Sequence, residues 1–273
     1  LRELGYVEGK NFALGYRCAE GKQERLDELA AELVRDKVDL IVTTAAVSAL
    51  AARQVTRTIP IVMTTGNPLE TGLAESLAKP GGNVTGLTVM LTDMSIKRLE
   101  LLKESFPKRI RVAALWGPID REARVGFKET SEAAKVLGLR LHPLEIKSGD
   151  DIERAFAAMV KARDSALDVV LSPIVTLHSK RIVELALKHR LPGIYPTRQF
   201  VEEGGLMAYG PLIGDLYRRS ASYVDKILKG RKPADLPIEQ PMKFDFIVNL
   251  KTAKQIGVTL PPNVVVRADQ VIR

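Results

Sequence analysis

A single cysteine, Cys18, stands among 273 residues, which excludes an internal disulfide and any cysteine-built zinc cluster. Histidine is nearly as scarce. His142, His178 and His189 share no metal-like spacing, and each has an ordinary place: mid-strand, at a helix start and near a helix end. The sequence contains no GxSxG elbow, no GxxxxGK phosphate loop, no HExxH and no GxGxxG. No catalytic residue, metal ligand or cofactor is therefore assigned, and an enzyme is not expected. No apolar run approaches the roughly 20 residues of a membrane-spanning helix, and the opening LRELGYVEGK is no signal peptide. Aromatic residues make up 5% of the chain and do not interleave with its basic clusters as base-stacking platforms would. The net charge of +8 comes from 41 Lys and Arg scattered among 33 acidic residues. The densest clusters, Lys108-Arg109-Arg111 and Lys229-Arg231-Lys232, each follow a predicted helix, where cations complement the dipole, so no nucleic-acid partner is expected.

What the chain does have is material for a core. Hydrophobic residues at 45% with 27% charged describe a soluble globular protein, and 273 residues exceed what one typical core supports, so two lobes are expected.

Residues 38 to 68, VDLIVTTAAVSALAARQVTRTIPIVMTTGNP, hold a buried strand, a polar turn, a helix, a second strand and another polar turn. Val38 to Thr43 and Ile59 to Thr64 are short and rich in β-branched residues, as suits strands covered on both faces of a parallel sheet. Thr43-Thr44-Ala45-Ala46 and Thr64-Thr65-Gly66-Asn67-Pro68 then lie at the carboxyl edge of one sheet, where open α/β sheets bind ligands. The helix starting near Thr44 and carrying Ser48 aims its free amides at the same crevice, an environment for an anion. Ordinary capping of βα turns explains the same hydroxyls equally well.

The rest of the chain continues this rhythm. Leu1 to Leu4 with Gly5 reads as the end of a helix, so a first strand, and a leader before it, is expected upstream of Leu1. A strand is predicted over Asn11 to Arg17, helices over 22 to 36 and 71 to 79, and a strand over Val84 to Val89. A helix from Asp93 leads to a strand over Ile110 to Trp116, and the crossing into the second lobe falls near 89 to 93. Strands at 139 to 146, 167 to 171, 193 to 195 and 206 to 209 then alternate with helices at 122 to 137, 151 to 163 behind the cap Asp150, and 178 to 189, which implies a parallel sheet. A helix over 215 to 229 returns to the first lobe, and a Pro-rich tail wraps irregularly. The expected fold class is α/β, with two parallel-sheet lobes: 1–90 with 210–235, and 91–209 with 236–273.

Strand ends in the second lobe repeat the pattern of the first. Trp116-Gly117-Pro118, Ser172-Pro173-Ile174-Val175-Thr176, Tyr195-Pro196-Thr197-Arg198 and Tyr209-Gly210-Pro211 each place stiff backbone, flat apolar walls or hydroxyls at one edge. Trp116 serves either as core or as pocket wall. Arg198 is either a surface residue or a carboxylate partner.

Taken together, LRELGYVEGKN, the VDLIV…ALAA…TIPIVM block, GLAESLAKPGGNVTGL, KRLELLK, KHRLPGIY, FVEEGGLMAYGP, DLYRRSASYVDKILKG and PADLPIEQPMKFDFIVNLKTAKQIG resemble the bacterial ABC-transporter substrate-binding proteins of the tryptophan/tyrosine-transport type. The resemblance covers essentially the whole chain. It implies a type I periplasmic-binding-protein fold in which two lobes, joined by a hinge, trap a small molecule such as an aromatic amino acid. It also implies export to the periplasm, free or lipid-anchored at the outer face of the inner membrane, and delivery to an ABC permease. Carried over by position, the ligand-binding residues are Thr44, Ala45, Val47, Ser48, Thr65, Gly66, Asn67, Pro68, Trp116, Pro118, Pro173, Val175, Thr176, Tyr195, Arg198 and Tyr209. In this reading the helix start at Thr44 to Ser48 holds a carboxylate, Trp116 and Tyr209 sandwich an apolar body, and Arg198 or Asn67 fixes orientation. Two positions depart from the family pattern: Thr44-Ala45-Ala46 replaces a glycine-rich start, and Asn67 replaces an acid before the proline, which brings aromatic or aliphatic carboxylates in beside amino acids as ligands. The alternative is the ligand-sensing domain of a transcription regulator with the same fold, which needs a DNA-reading module that these residues do not contain.

Overall fold

The computed structural model describes residues 1–65, 67–89, 92–108 and 111–273. Gly66 and part of the expected crossing near 89 to 93 lie outside them. The chain opens with α1 (Leu26–Arg35), β1 (Ile41–Thr43), α2 (Ala46–Val55), β2 (Ile61–Thr65) and β3 (Val84–Thr88). It continues through α3 (Thr92–Ser105), β4 (Arg111–Trp116), α4 (Arg121–Val136), β5 (Arg140–Glu145), α5 (Asp151–Ala162) and β6 (Ala166–Val169). Then come α6 (Pro173–Leu177), α7 (Ser179–Lys188), β7 (Gly193–Tyr195), α8 (Arg198–Glu202) and β8 (Met207–Pro211). The last elements are α9 (Ile213–Leu228), β9 (Phe244–Asn249), α10 (Leu250–Ile256), α11 (Pro262–Val265) and β10 (Gln270–Ile272).

Two compact units result. Unit 1 comprises Leu1–Met90 and Ile213–Met242, and unit 2 comprises Leu91–Leu212 and Lys243–Arg273. Two boundaries differ from the sequence expectation, which placed 210–212 in the first lobe, although β8 keeps them in unit 2, and 236 onward in the second. Residues 236–242 stay with unit 1 because Ile238 is buried in its core and Thr85 Oγ1 donates to the Leu236 carbonyl at 2.6 Å.

Unit 1 carries a three-stranded parallel sheet in the order β1-β2-β3, with Ile41 opposite Ile61 and Ile61 opposite Val84. Ala46, Ala49 and Ala52 recur along α2 at helical spacing, and their small side chains let the helix lie close on Ile41, Ile61 and Met63. Gly86 permits a still closer approach: at φ 137°, a Cβ there would sit 2.1 Å from the Met63 carbonyl oxygen.

Unit 2 is built on a seven-stranded sheet in the order β10-β9-β8-β7-β6-β4-β5, parallel from β5 to β8 and antiparallel between β8 and β9. Successive residues of its strands feed opposite faces. Ala113, Leu115, Leu167 and Val169 enter one core cluster, while Val112 and Ala166 enter the other. Both faces being covered explains why these strands read as unbroken apolar runs.

Some sequence expectations fail. Asn11 to Arg17 is no strand: among the described residues it joins neither sheet, its only pairing being the isolated bridge of Phe12 with Glu8, and Leu14 and Tyr16 are exposed. Residues 71 to 79 form turns, because Gly72 takes φ 71° and the Thr71 hydroxyl donates to the carbonyls of Asn67 and Pro68. Asp150 holds the N-cap position of α5, but its side chain caps no amide there; its neighbour Asp151 accepts from the amides of Lys147 and Ser148, both at 2.8 Å.

Candidate functional site

In unit 1, Thr43 pairs with Met63 in parallel register, so the turns after β1 and β2 leave one sheet edge. Helix α2 begins there. Its N-cap is Ala45, in extended backbone (φ −146°, ψ 155°), and no side chain caps it. Alanine has no oxygen to offer the first-turn amides, so they remain available to another acceptor. The Ser48 hydroxyl donates to the Ala45 carbonyl at 2.8 Å, which steadies the turn, and Val47 is half-buried beside it.

The hydroxyls at this edge are not quite those expected. Thr43 and Thr64 are 6% and 5% exposed, and neither hydroxyl has a hydrogen-bond partner among the described residues. Thr44, one residue on, is exposed, while the Thr65 side chain and all of Gly66 lie outside the described residues. Asn67 Oδ1 is taken by its own turn, accepting from the amides of Leu69 at 3.2 Å and Glu70 at 3.3 Å with Pro68 buried between.

In unit 2, the tips of β4, β6, β7 and β8 emerge side by side along the carboxyl edge. Trp116 ends β4 with its ring stacked on Phe127, centroids 4.3 Å apart and planes 8° from parallel. Its indole N–H is buried without a partner among the described residues, as are the hydroxyls of Ser172, three residues past β6, and Thr197, two past β7. Five such atoms, on Thr43, Thr64, Trp116, Ser172 and Thr197, thus sit at or just past strand tips. Each costs about 1–3 kcal/mol while unpaired. Buried polar atoms without a partner among the described residues also occur away from the tips, on Thr130 and Glu203, but those at the tips lie where a bound molecule can complete the bonds.

Tyr209 on β8 and Trp116 on β4, the expected aromatic sandwich, are separated by β7 and β6, so three interstrand steps of about 4.8 Å put their backbones roughly 14 Å apart. Phe127 already covers one face of Trp116, and Tyr209 stacks on Phe244. Tyr195 and Val175, expected to line the site, are core residues at 1% and 0% exposure, with Tyr195 stacked on Phe200. Thr176 turns back on its helix, its hydroxyl donating to the Ser172 carbonyl at 2.9 Å. Arg198 is already engaged: its Nε and Nη2 donate to Asp245 Oδ2 at 3.1 and 2.8 Å, and its Nη1 to Gln270 Oε1 at 2.5 Å. Pro118 is half-buried with its carbonyl accepting from Arg124 Nη1 at 2.7 Å, and Pro173 is exposed at the start of α6.

Charge at the unit 2 edge is modest. Asp120 caps α4 by accepting from the Glu122 amide at 2.8 Å, and burial pushes its carboxyl above the usual range against that hydrogen bond. His142 lies elsewhere, with its Nδ1 2.5 Å from Asp164 Oδ2, before the amino end of β6. Among the described residues, no group of three or more His, Cys, Asp or Glu could hold a metal ion. Ser172, Thr197, Thr43 and Thr64 lie in the strand-end segments that the sequence singles out, but not among the residues assigned to ligand binding. The available signal was a hydroxyl residue at each predicted strand end, but whether it is paired is a tertiary fact.

Three comparisons bear on this geometry. A family model described as ABC transporter substrate binding protein matches residues 1–272. A tyrosine-binding protein of Clostridioides difficile (strain R20291) is 26% identical over 257 residues, covering 94% of this chain and 74% of that protein. Among solved structures, an ABC domain in complex with L-Trp from Streptococcus pneumonia matches with TM-score 0.90 at 26% identity, over 100% of this chain and 92% of that one. A conserved domain protein from Vibrio cholerae O1 biovar El Tor matches with TM-score 0.94 at 26% identity, over 99% and 90% of the two chains.

Proposed function

The chain belongs to the ABC transporter substrate-binding proteins, and we propose that its ligand is an aromatic amino acid or a related carboxylate. The fold is of the type I periplasmic-binding-protein kind, with parallel-dominated sheets in both units. In this reading the protein is a receptor that carries out no reaction. It delivers its ligand to an ABC permease from the outer side of the membrane, either free or lipid-anchored. Among the described residues no helix is long and apolar enough to cross a membrane.

The observation that carries the reading is the set of buried, unpaired polar atoms at strand tips within each unit, together with the uncapped start of α2 in unit 1. An uncapped helix start offers several amides and the positive end of the dipole to a carboxylate, and supplies no competing acid. Aromatic ligands are supported by the tyrosine-binding relative and by the L-Trp complex. With Asn67 in its turn and its side-chain oxygen occupied, no carboxylate stands at that position to demand an ammonium group, which keeps deaminated aromatic acids in the class.

Thermal unfolding in the presence of single aromatic amino acids and aromatic carboxylates tests this. Ligand at about 100 times its Kd adds roughly 2.7 kcal/mol, a clear rise in midpoint. A screen in which every member of both classes leaves the midpoint unmoved overturns the proposal.

A further inference from the structure

We propose that Ser172 and Thr197 are ligand-contacting, specificity-determining residues whose hydroxyls are withheld from helix capping so that a polar oxygen of the ligand can complete their hydrogen bonds. This rests on reading the strand tips as ligand-facing.

Ser172 occupies the N-cap of α6 with φ −160° and ψ 161°, and Thr197 the N-cap of α8 with φ −142° and ψ 156°. In such extended backbone a Ser or Thr side chain ordinarily closes on an amide two or three residues on. Neither does so. Capping is within this chain's reach elsewhere, since Asp120 caps α4 and Asn249 caps α10 through the Thr252 amide at 3.1 Å.

Both hydroxyls are nevertheless sealed: Ser172 is 3% and Thr197 9% exposed, and neither Oγ finds a partner among the described residues. β6 and β7 are neighbouring parallel strands with Asp168 opposite Ile194, so the segments that carry Ser172 and Thr197 leave the same sheet edge side by side. The packing beside both is close: a Cβ on Gly117 would meet Ile174 Cγ2 at 2.8 Å and Ser172 Oγ at 2.9 Å, and a Cβ on Gly210 would lie 1.8 Å from the carbonyl oxygen of Pro196, which leads into Thr197.

A buried hydroxyl left unpaired destabilises the unliganded fold, and a site built to bond a polar group discriminates strongly against analogues lacking it. The two effects make opposite demands on stability and affinity. A hydroxyl kept for the ligand weakens the empty protein and strengthens the complex. One kept for the fold strengthens the empty protein and leaves the complex alone.

The experiment uses the full chain with Ser172→Ala, Thr197→Val and both together, measuring the thermal midpoint without ligand and the Kd for L-tryptophan and L-tyrosine by calorimetry. The unliganded midpoint is expected to rise in each variant, while affinity for the bound probe falls at least tenfold. A lower unliganded midpoint, or wild-type affinity in the double variant, overturns the assignment. If wild-type protein binds neither probe, the aromatic amino acids drop out of the proposed ligand class, and the unliganded midpoint alone decides here: a rise supports ligand-reserved hydroxyls, a fall overturns them.

Discussion

Arg98 Nε donates to Asp168 Oδ1 at 3.0 Å inside unit 2, with the two side chains 2% and 0% exposed. The pair fastens α3 to the central strand β6, and Arg98 Nη2 also donates to the Ser95 hydroxyl at 3.3 Å. Burial pushes the Asp168 carboxyl up while the guanidinium pulls it down, and its second oxygen has no partner among the described residues. A pair like this contributes little net stability because both charges lose their water, yet removing one partner strands the other. Arg98→Met is therefore expected to destabilise by about 3–5 kcal/mol, and Arg98→Met with Asp168→Leu to recover most of that loss. Urea unfolding midpoints of the three proteins check it. A double variant no better than the single one counts against a stranded charge as the cause.

Asp151 lends acid sensitivity to unit 2. Arg154 beside it, together with the amides of Lys147 and Ser148, holds its carboxyl well below the usual range. A depressed folded pKa contributes stability that is fully present above the unfolded value of about 4 and is lost as pH falls below it. Asp151→Ala should lower the thermal midpoint at pH 7 and lower it by distinctly less near pH 3. Equal losses at the two pH values would show that the carboxylate charge is not what holds the start of α5.

Two glycines a few residues apart should behave oppositely. Gly210 on β8 has no room, since its added Cβ would lie 1.8 Å from a backbone oxygen of the β7 tip, whereas one on Gly214 in α9 meets nothing within 4 Å. Gly210→Ala should lose about 3 kcal/mol through forced backbone movement, and Gly214→Ala should gain up to about 1 kcal/mol from helix propensity. Chemical denaturation of both variants reads the contrast. Similar values for the two would contradict the close approach of β7 and β8.

Much of the architecture was legible because parallel strands write themselves as short β-branched runs, as over Ile41–Thr43 and Ile61–Thr65, although β1 is covered on one face only, with Val42 47% exposed. Their edges were legible too, since turns after parallel strands must leave together. Individual side chains were less so. Thr43 and Thr64 lie one residue before the Thr44 and Thr65 that sequence suggested, and a one-residue shift exchanges the two faces of a strand. The short helices α6 and α8 hide in what sequence shows as loops, although Ser172-Pro173 is a recognisable cap and first turn. The partner that engages Arg198 is Asp245, 47 residues away, and the ring that stacks on Trp116 is Phe127, in the next helix. Pairings over such separations leave no local trace.

The account holds that strand tips bearing unpaired polar atoms bind an aromatic ligand, and Trp116, the only tryptophan in the chain, ends one of those strands. Its fluorescence, excited where tyrosine does not absorb, can be followed while L-tyrosine is added. A saturable change in Trp116 emission is predicted, because a ligand that bonds the indole N–H must alter its surroundings. Constant emission at L-tyrosine concentrations that raise the thermal midpoint would contradict the placement of the ligand at these tips.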